Sequence, residues 1–216
     1  MKKVLLVLAV CSFAFVSCKA LTGGAIGAGA GGVIGGVIGH QLGNTAAGAI
    51  IGAAIGGTAG ATIGHYMDKQ AAEIQNDIKD AKVERVGEGI KITFSSGILF
   101  DVNSAELKSA AQENVGKLAT ILNKYADTKL LVEGHTDSTG TRELNMTLSQ
   151  NRATSVANSL KSSGVVGDRI TTAGYGPDQP VGDNTTVDGR TLNRRVEVAV
   201  FANNKLIKAA KENKQL

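Results

Sequence analysis

Asp137 and Arg152 are the two side chains of this sequence best placed to do chemistry. Asp137 lies in a polar, turn-rich run, His135-Thr136-Asp137-Ser138-Thr139-Gly140, and Arg152 lies in the helix-forming stretch that follows. A carboxylate accepts hydrogen bonds from an ammonium, and a guanidinium fork takes a carboxylate through two parallel bonds. A loop acid and a helix-start arginine facing one pocket therefore suit a small zwitterion, with a partner for each charged end. The same residues read equally as a turn cap and a surface helix residue, and spacing alone does not choose between these.

The flanking elements must bring the two together. Lys129 to Gly134 is a strongly apolar strand that delivers Thr136 and Asp137 to a sheet edge, and Gly140 allows a tight turn back. A helix is expected from about Thr147, with Thr147 and Gln150 as a capping box and Gly164 as its stop. That start puts Arg152 in the first or second turn, near amides that favour an anion. An earlier helix runs from an N-cap at Ser104 to about Tyr125, with Leu107, Ala111, Val115, Leu118 and Leu122 on one face. Strands are expected at Gly89–Phe94, Ile98–Phe100, Arg169–Tyr175 and Arg195–Phe201. The order β-α-β-α-β-β over residues 89–202 predicts an α+β domain, a mixed sheet with helices on one face. A lysine-rich, helix-like tail, 203–216, has no evident task.

Three motifs give these elements a family likeness. Asn145, Leu148, Ser149, Arg152, Ala153, Val156 and Leu160 fit N-x-x-L-S-x-x-R-A-x-x-V-x-x-x-L; Phe100 to Leu107 fits F-D-x-N-S-A-x-L; Gly174, Gly176, Asn193, Arg194, Arg195 and Val196 fit the later G-x-G and N-R-R-V. Together they resemble the peptidoglycan-binding OmpA-like C-terminal domain. The resemblance implies that Asp137 and Arg152 hold the free end of meso-diaminopimelate in a stem peptide. It also implies that Asn103, Thr136, Asn145 and Arg195 line the pocket, and that Asp101 anchors its loop. Arg194 and Arg195 are strand neighbours pointing to opposite faces; only the resemblance selects Arg195.

The N-terminal part has a different composition. Lys2 and Lys3 precede an apolar run from Val4 to Val16, a signal peptide over residues 1–17 that is short for a membrane span. Phe15-Val16-Ser17-Cys18 resembles a bacterial lipobox, with Phe15 where Leu is usual. That implies acylation of Cys18 by chains such as palmitate, and a lipidated N-terminus at 18–22. Lys19, rather than Asp, favours outer-membrane sorting in such lipoproteins. Glycines recur every fourth residue from Gly23 to Gly43 and again from Gly48 to Gly64, with His40 and His65 in matching positions. No Asp, Glu, Lys or Arg occurs from Leu21 to Met67. Small residues at this spacing let helices approach closely, so residues 23–66 resemble a glycine-zipper helical hairpin suited to a membrane or to self-association. Residues 67–88 read as a charged helical connector with a thin Ile74, Ile78, Ala81 stripe, broken at Val86–Gly89.

Composition narrows the function. The formal charge of +4 falls to about +2 once Lys2 and Lys3 are removed, and aromatics are few, so nucleic acid is not an expected partner. Cys11 leaves with the leader and Cys18 remains alone, which removes disulfides and thiol chemistry. The histidines lie far apart without ligand spacing, so neither a metal nor a cofactor is expected. No nucleophile accompanies His135 and Asp137, which argues against an enzyme. The expectation is an outer-membrane lipoprotein, its C-terminal domain in the periplasm, tethering membrane to wall through non-covalent peptidoglycan binding. The alternatives are a glycine-zipper oligomer or pore, or an outer-membrane assembly factor, with the wall-binding domain as anchor.

Overall fold

A computed structural model describes residues 45–52 and 55–212. The signal segment, Cys18, the first glycine run, His40 and the last four residues of the tail lie outside the described residues. The chain runs α1 (Thr45–Gly52), α2 (Gly57–Asp77), β1 (Ala81–Val86), β2 (Gly89–Ser95), α3 (Ser96–Leu99), α4 (Ser109–Lys124), β3 (Thr128–His135), α5 (Arg142–Ser162), a 3-10 turn (Gly167–Arg169), β4 (Ile170–Gly176), α6 (Val187–Asn193), β5 (Arg195–Ala202) and α7 (Asn204–Lys211). The sheet order is β1-β2-β5-β3-β4. β3 and β4 are parallel, joined by the crossover helix α5, and the other neighbours are antiparallel. This is the expected α+β class with a mixed sheet.

The alternation along β5 organises the core. Val196, Val198 and Val200 point to one face and meet Phe94, Ile92 and Ile90 of β2 in register. Helices α2, α4, α5 and α7 close over that face with Ile63, Met67, Leu118, Leu122, Val156, Leu160 and Leu206, all fully buried. The intervening Ala199 faces the other side, where Ala46 and Ile50 of α1 cover it together with Leu131 and Val86. Helices were expected on one face alone; α1, cut from the second glycine run, occupies the second face. Among the described residues, no helix is long and apolar enough to cross a membrane.

Several local expectations change. Residues 67–88 are helix only to Asp77 and then form β1, which pairs with β2 through a turn where Gly87 has φ +52°. The Ile74 and Ile78 stripe continues back through Met67 and Ile63, so this helix belongs to the main core. Charged Lys82 and Glu84 suit β1 to a sheet edge, because they discourage pairing with another chain. Ile98–Phe100 is not a strand: residues 96–99 make one helical turn, and Phe100 forms a single bridge to Leu107. Helix α4 starts at Ser109, and Ser104 caps a tight turn through the amide of Glu106 at 3.0 Å. Helix α6 lies in a stretch too polar to show apolar periodicity.

The tail acquires a task. Asn203 caps α7 by accepting from the amides of Lys205 and Leu206 at 2.9 Å, and Leu206 and Ala210 are buried. Truncating a buried leucine costs its transfer free energy and leaves a cavity. Leu206→Ala is expected to lower stability by about 2–4 kcal/mol in urea unfolding. A variant as stable as the parent would show that α7 is not part of the core.

Candidate functional site

Thr136 and Asp137 continue beyond β3 at the end of the sheet, as their place after an apolar strand implied. The Thr136 amide donates to Gly176 O at 2.9 Å, which ties the loop to the end of β4. Asp137 is 7% exposed. Its Oδ1 accepts from the Thr139 amide at 2.9 Å, and its Oδ2 accepts from Arg194 Nη1 at 2.6 Å. Burial pushes its pKa up, but the Arg194 bond and the Thr139 bonds outweigh that, so the net shift is downward. The carboxylate therefore stays ionised until pH falls below the ordinary Asp range, and it retains acceptor capacity beyond these two bonds.

Arg152 arrives from α5, but not from its first turns. The helix begins at Arg142, where Thr141 Oγ1 accepts from the Leu144 amide at 3.3 Å. Thr147 instead donates to Glu143 O, one turn back, so the expected capping box does not form. Arg152 lies about three turns in, too far for the amides at the helix start to share its ligand. The guanidinium alone must take an anion there. It is 5% exposed, stands 5.2 Å above the Phe100 ring, and donates to Ser104 O at 2.8 Å and Asp101 O at 3.4 Å. No carboxylate lies within ion-pair distance of it among the described residues. Burial, then the nearby Arg194, lowers its pKa, while Asp137 acts the other way. A guanidinium remains charged even so. A buried cation held only by carbonyl dipoles is a strong attractor for an anion.

Asp137 and Arg152 line one open cavity of about 390 Å³, with Asn103, Thr136, Asn145, Phe100, Leu148, Arg190 and Arg194. Asn103 sits in the left-handed region at φ 56°, a conformation asparagine tolerates well. Asn145 donates to Thr139 O at 2.9 Å and braces the loop carrying Asp137. The Thr136 hydroxyl is buried without a hydrogen-bond partner. Asp101 is exposed, and its carboxylate pairs with Lys108 at 3.2 Å.

Arg195 does not join this set. Its side chain is 3% exposed on the other face of the sheet, bonded to Glu197 Oε1 at 2.6 Å and to Gln179 O at 3.2 Å. Arg194 lines the cavity in its place. Strand alternation required the two to diverge; the direction is set where β5 leaves α6. There Asn193 accepts from the amides of Val181 and Gly182 at 2.8 Å and donates to Gly182 O at 2.9 Å. This clamp fixes the loop before α6 and presents Arg190, a pocket residue that no sequence signal identified.

His135 also departs from expectation. It faces the second side of the sheet, stacked on Tyr175 at 5.6 Å between ring centroids, while Asp137 opens onto the cavity. Its potential ligand atoms and those of Glu133 and Glu197 lie within 4.8 Å of one another. The reading of histidines without carboxylates at ligand spacing is thereby corrected: Glu133 is two residues away on the same strand face, and register brings Glu197 opposite it. Burial, then Glu197, pushes Glu133 up to about 8, against the influence of Arg195, the Ala46 amide and Lys91. Burial, then Arg195 and Lys91, holds His135 well below its ordinary value.

Fold and site together define the class: an α+β domain with a mixed sheet, a cation-rich cavity at the end of β3 and α5 running across it. Comparison with known proteins agrees: residues 99–194 match the OmpA family and residues 1–68 match the YMGG-like Gly-zipper. The chain thus carries an OmpA family domain joined to a YMGG-like glycine-zipper segment. It is 41% identical over 139 residues to probable lipoprotein YiaD of Escherichia coli (strain K12), covering 63% of this chain and 64% of that one. It is 40% identical over 103 residues to peptidoglycan-binding protein ArfA of Mycobacterium tuberculosis (strain ATCC 25618 / H37Rv), covering 48% and 32%. The matched stretches thus span less than two thirds of these relatives. Among solved structures, the cell wall anchor of the T6SS from Pseudomonas aeruginosa superposes with a TM-score of 0.56 at 33% identity, covering 62% of this chain and 96% of that one.

Proposed function

We propose that this protein is an outer-membrane lipoprotein that holds peptidoglycan non-covalently by the free zwitterionic end of diaminopimelate in a stem peptide. The observation that carries this reading is the pair of Arg152, a buried cation bonded only to carbonyls, and Asp137, an ionised carboxylate with acceptor capacity, in one open cavity. Arg152 takes the ligand carboxylate, with Arg194 and Arg190 adding positive potential, and Asp137 takes the ammonium. Thr136, Asn103 and Asn145 are the polar wall between them. Cys18 carries the lipid. Relatives named as a lipoprotein and as a peptidoglycan-binding protein support both halves of the reading. The docking of α1 on the sheet supports a place within the domain for the second glycine run, ahead of a pore. Each grip is modest and reversible, and many grips along one polymeric wall give lasting attachment by avidity.

Purified peptidoglycan should pull down the full-length chain from detergent. A stem peptide containing meso-diaminopimelate should compete in a dose-dependent way, whereas the same peptide with lysine in its place, whose side chain ends in an ammonium without a carboxylate, should compete far less. Pull-down that both peptides leave unchanged would remove the zwitterion clamp as the basis of binding.

A further inference from the structure

We propose that Glu133, His135 and Glu197 form a binding site for a divalent transition-metal cation, Zn2+ foremost, on the sheet face opposite the cavity. The three are 0%, 1% and 2% exposed. Glu133 and Glu197 are cross-strand partners on β3 and β5, and His135 stands two residues along the same face of β3. One potential ligand atom from each lies within 4.8 Å of the others, and His135 Nε2 is 3.7 Å from Glu133 Oε2. Oxygen and nitrogen ligands about 2.1 Å from one zinc ion sit about 3.4 Å apart in a tetrahedron, so small side-chain rotations suffice.

The polar atoms themselves call for a ligand. Both oxygens of Glu133, both ring nitrogens of His135 and Oε2 of Glu197 are buried without a partner at hydrogen-bond geometry, although the Ala46 amide acts on Glu133 from nearby. Buried polar groups are nearly always satisfied, and one cation would satisfy one such atom from each of the three residues, a single His135 ring nitrogen among them. The donor chemistry is specific: an imidazole with two carboxylates suits zinc and its neighbours, whereas an all-oxygen set would suit magnesium or calcium. Arg195 takes Glu197 Oε1 at 2.6 Å and leaves Oε2 for the ion. With both carboxylates ionised, the dication meets two negative charges, with Arg195 and Lys91 as the nearby positive ones. Helix α1 roofs the face beside this cluster, so the bound ion would stiffen the contact between the second glycine run and the sheet.

The test uses the full-length chain stripped with a chelator, in a Cys11→Ser, Cys18→Ser, His40→Gln, His65→Gln background that removes the other thiols and imidazoles. Zn2+ is titrated against a chromogenic chelator, after native incubation and after refolding with Zn2+. The expected result is one ion per chain by either route, an upward shift in Tm, and X-ray absorption showing nitrogen and oxygen donors without sulfur. Glu133→Gln and His135→Gln should each weaken binding by more than ~10-fold and remove the Tm shift. Circular dichroism verifies their folding; if either variant does not fold, the parent titration decides alone. Absence of stoichiometric binding by the parent overturns the proposal, as does unchanged affinity in folded Glu133→Gln.

Discussion

Arg152→Ala in the full-length chain is expected to abolish pull-down by purified peptidoglycan, and Asp137→Ala to do the same, with both variants still folded. The size of the effect follows from burial. Arg152 is 5% exposed and Asp137 is 7% exposed, so a ligand charge meeting either one leaves water almost completely. Truncating one partner of a buried, hydrogen-bonded charge pair costs about 2–5 kcal/mol, because the other charge is left unpaired. That corresponds to a loss of at least about 30-fold per site, and avidity along the wall multiplies the difference between bound and free. Arg152→Lys should recover little, since an ammonium keeps the charge but lacks the fork. Arg194→Ala should cost less than either alanine variant: it removes a partner of Asp137 at the cavity mouth, where its own side chain is 42% exposed. Pull-down by folded Arg152→Ala and Asp137→Ala at the level of the parent would refute the pocket assignment.

Gly134→Ala or Gly174→Ala should each destabilise the domain by more than ~3 kcal/mol, at or beyond the upper end of ordinary overpacking. The two glycines are register partners on β3 and β4, directly beneath α5. A methyl group on Gly134 would stand 2.0 Å from Ser149 O, and one on Gly174 would stand 2.4 Å from Gln150 N. Both obstacles are helix backbone, so no side chain can rotate away. Relief requires α5 to lift from the sheet, and it is held there by Ser149, whose hydroxyl accepts from the Gly176 amide at 2.9 Å. Because α5 also carries Asn145 and Arg152, a variant that stays folded should lose wall binding as well as stability. Urea unfolding of each variant checks this, and a midpoint equal to that of the parent would show that the close approach is not required.

Much of this architecture was legible because its causes are local. The apolar run from Lys129 to Gly134 and the alternation from Arg195 to Phe201 mark central strands, which need continuous or alternating burial. Strand, loop and helix in that order carry Asp137 and Arg152 to one end of the sheet whatever surrounds them. The start of α5 was misplaced because Thr141 and Thr147 are both competent caps, and only the path of the loop decides which amide needs one. The strand at Ala81–Val86 was read as helix because an edge strand exposes charges as freely as a surface helix does.

The amino-acid sequence by itself determined the fold class, the acid and the cation of the cavity, and the division between a glycine-rich N-terminal part and a compact C-terminal one. These follow from periodicity and residue type. Only the tertiary structure decided that Arg194 rather than Arg195 faces the cavity, that Arg190 joins it, and that Glu133, His135 and Glu197 meet under the opposite face. For the arginine pair and for the buried trio the reason is the same. Alternation says that neighbours on a strand diverge, but which face is which depends on the register of β5 between β2 and β3, fixed by contacts among segments far apart in the chain.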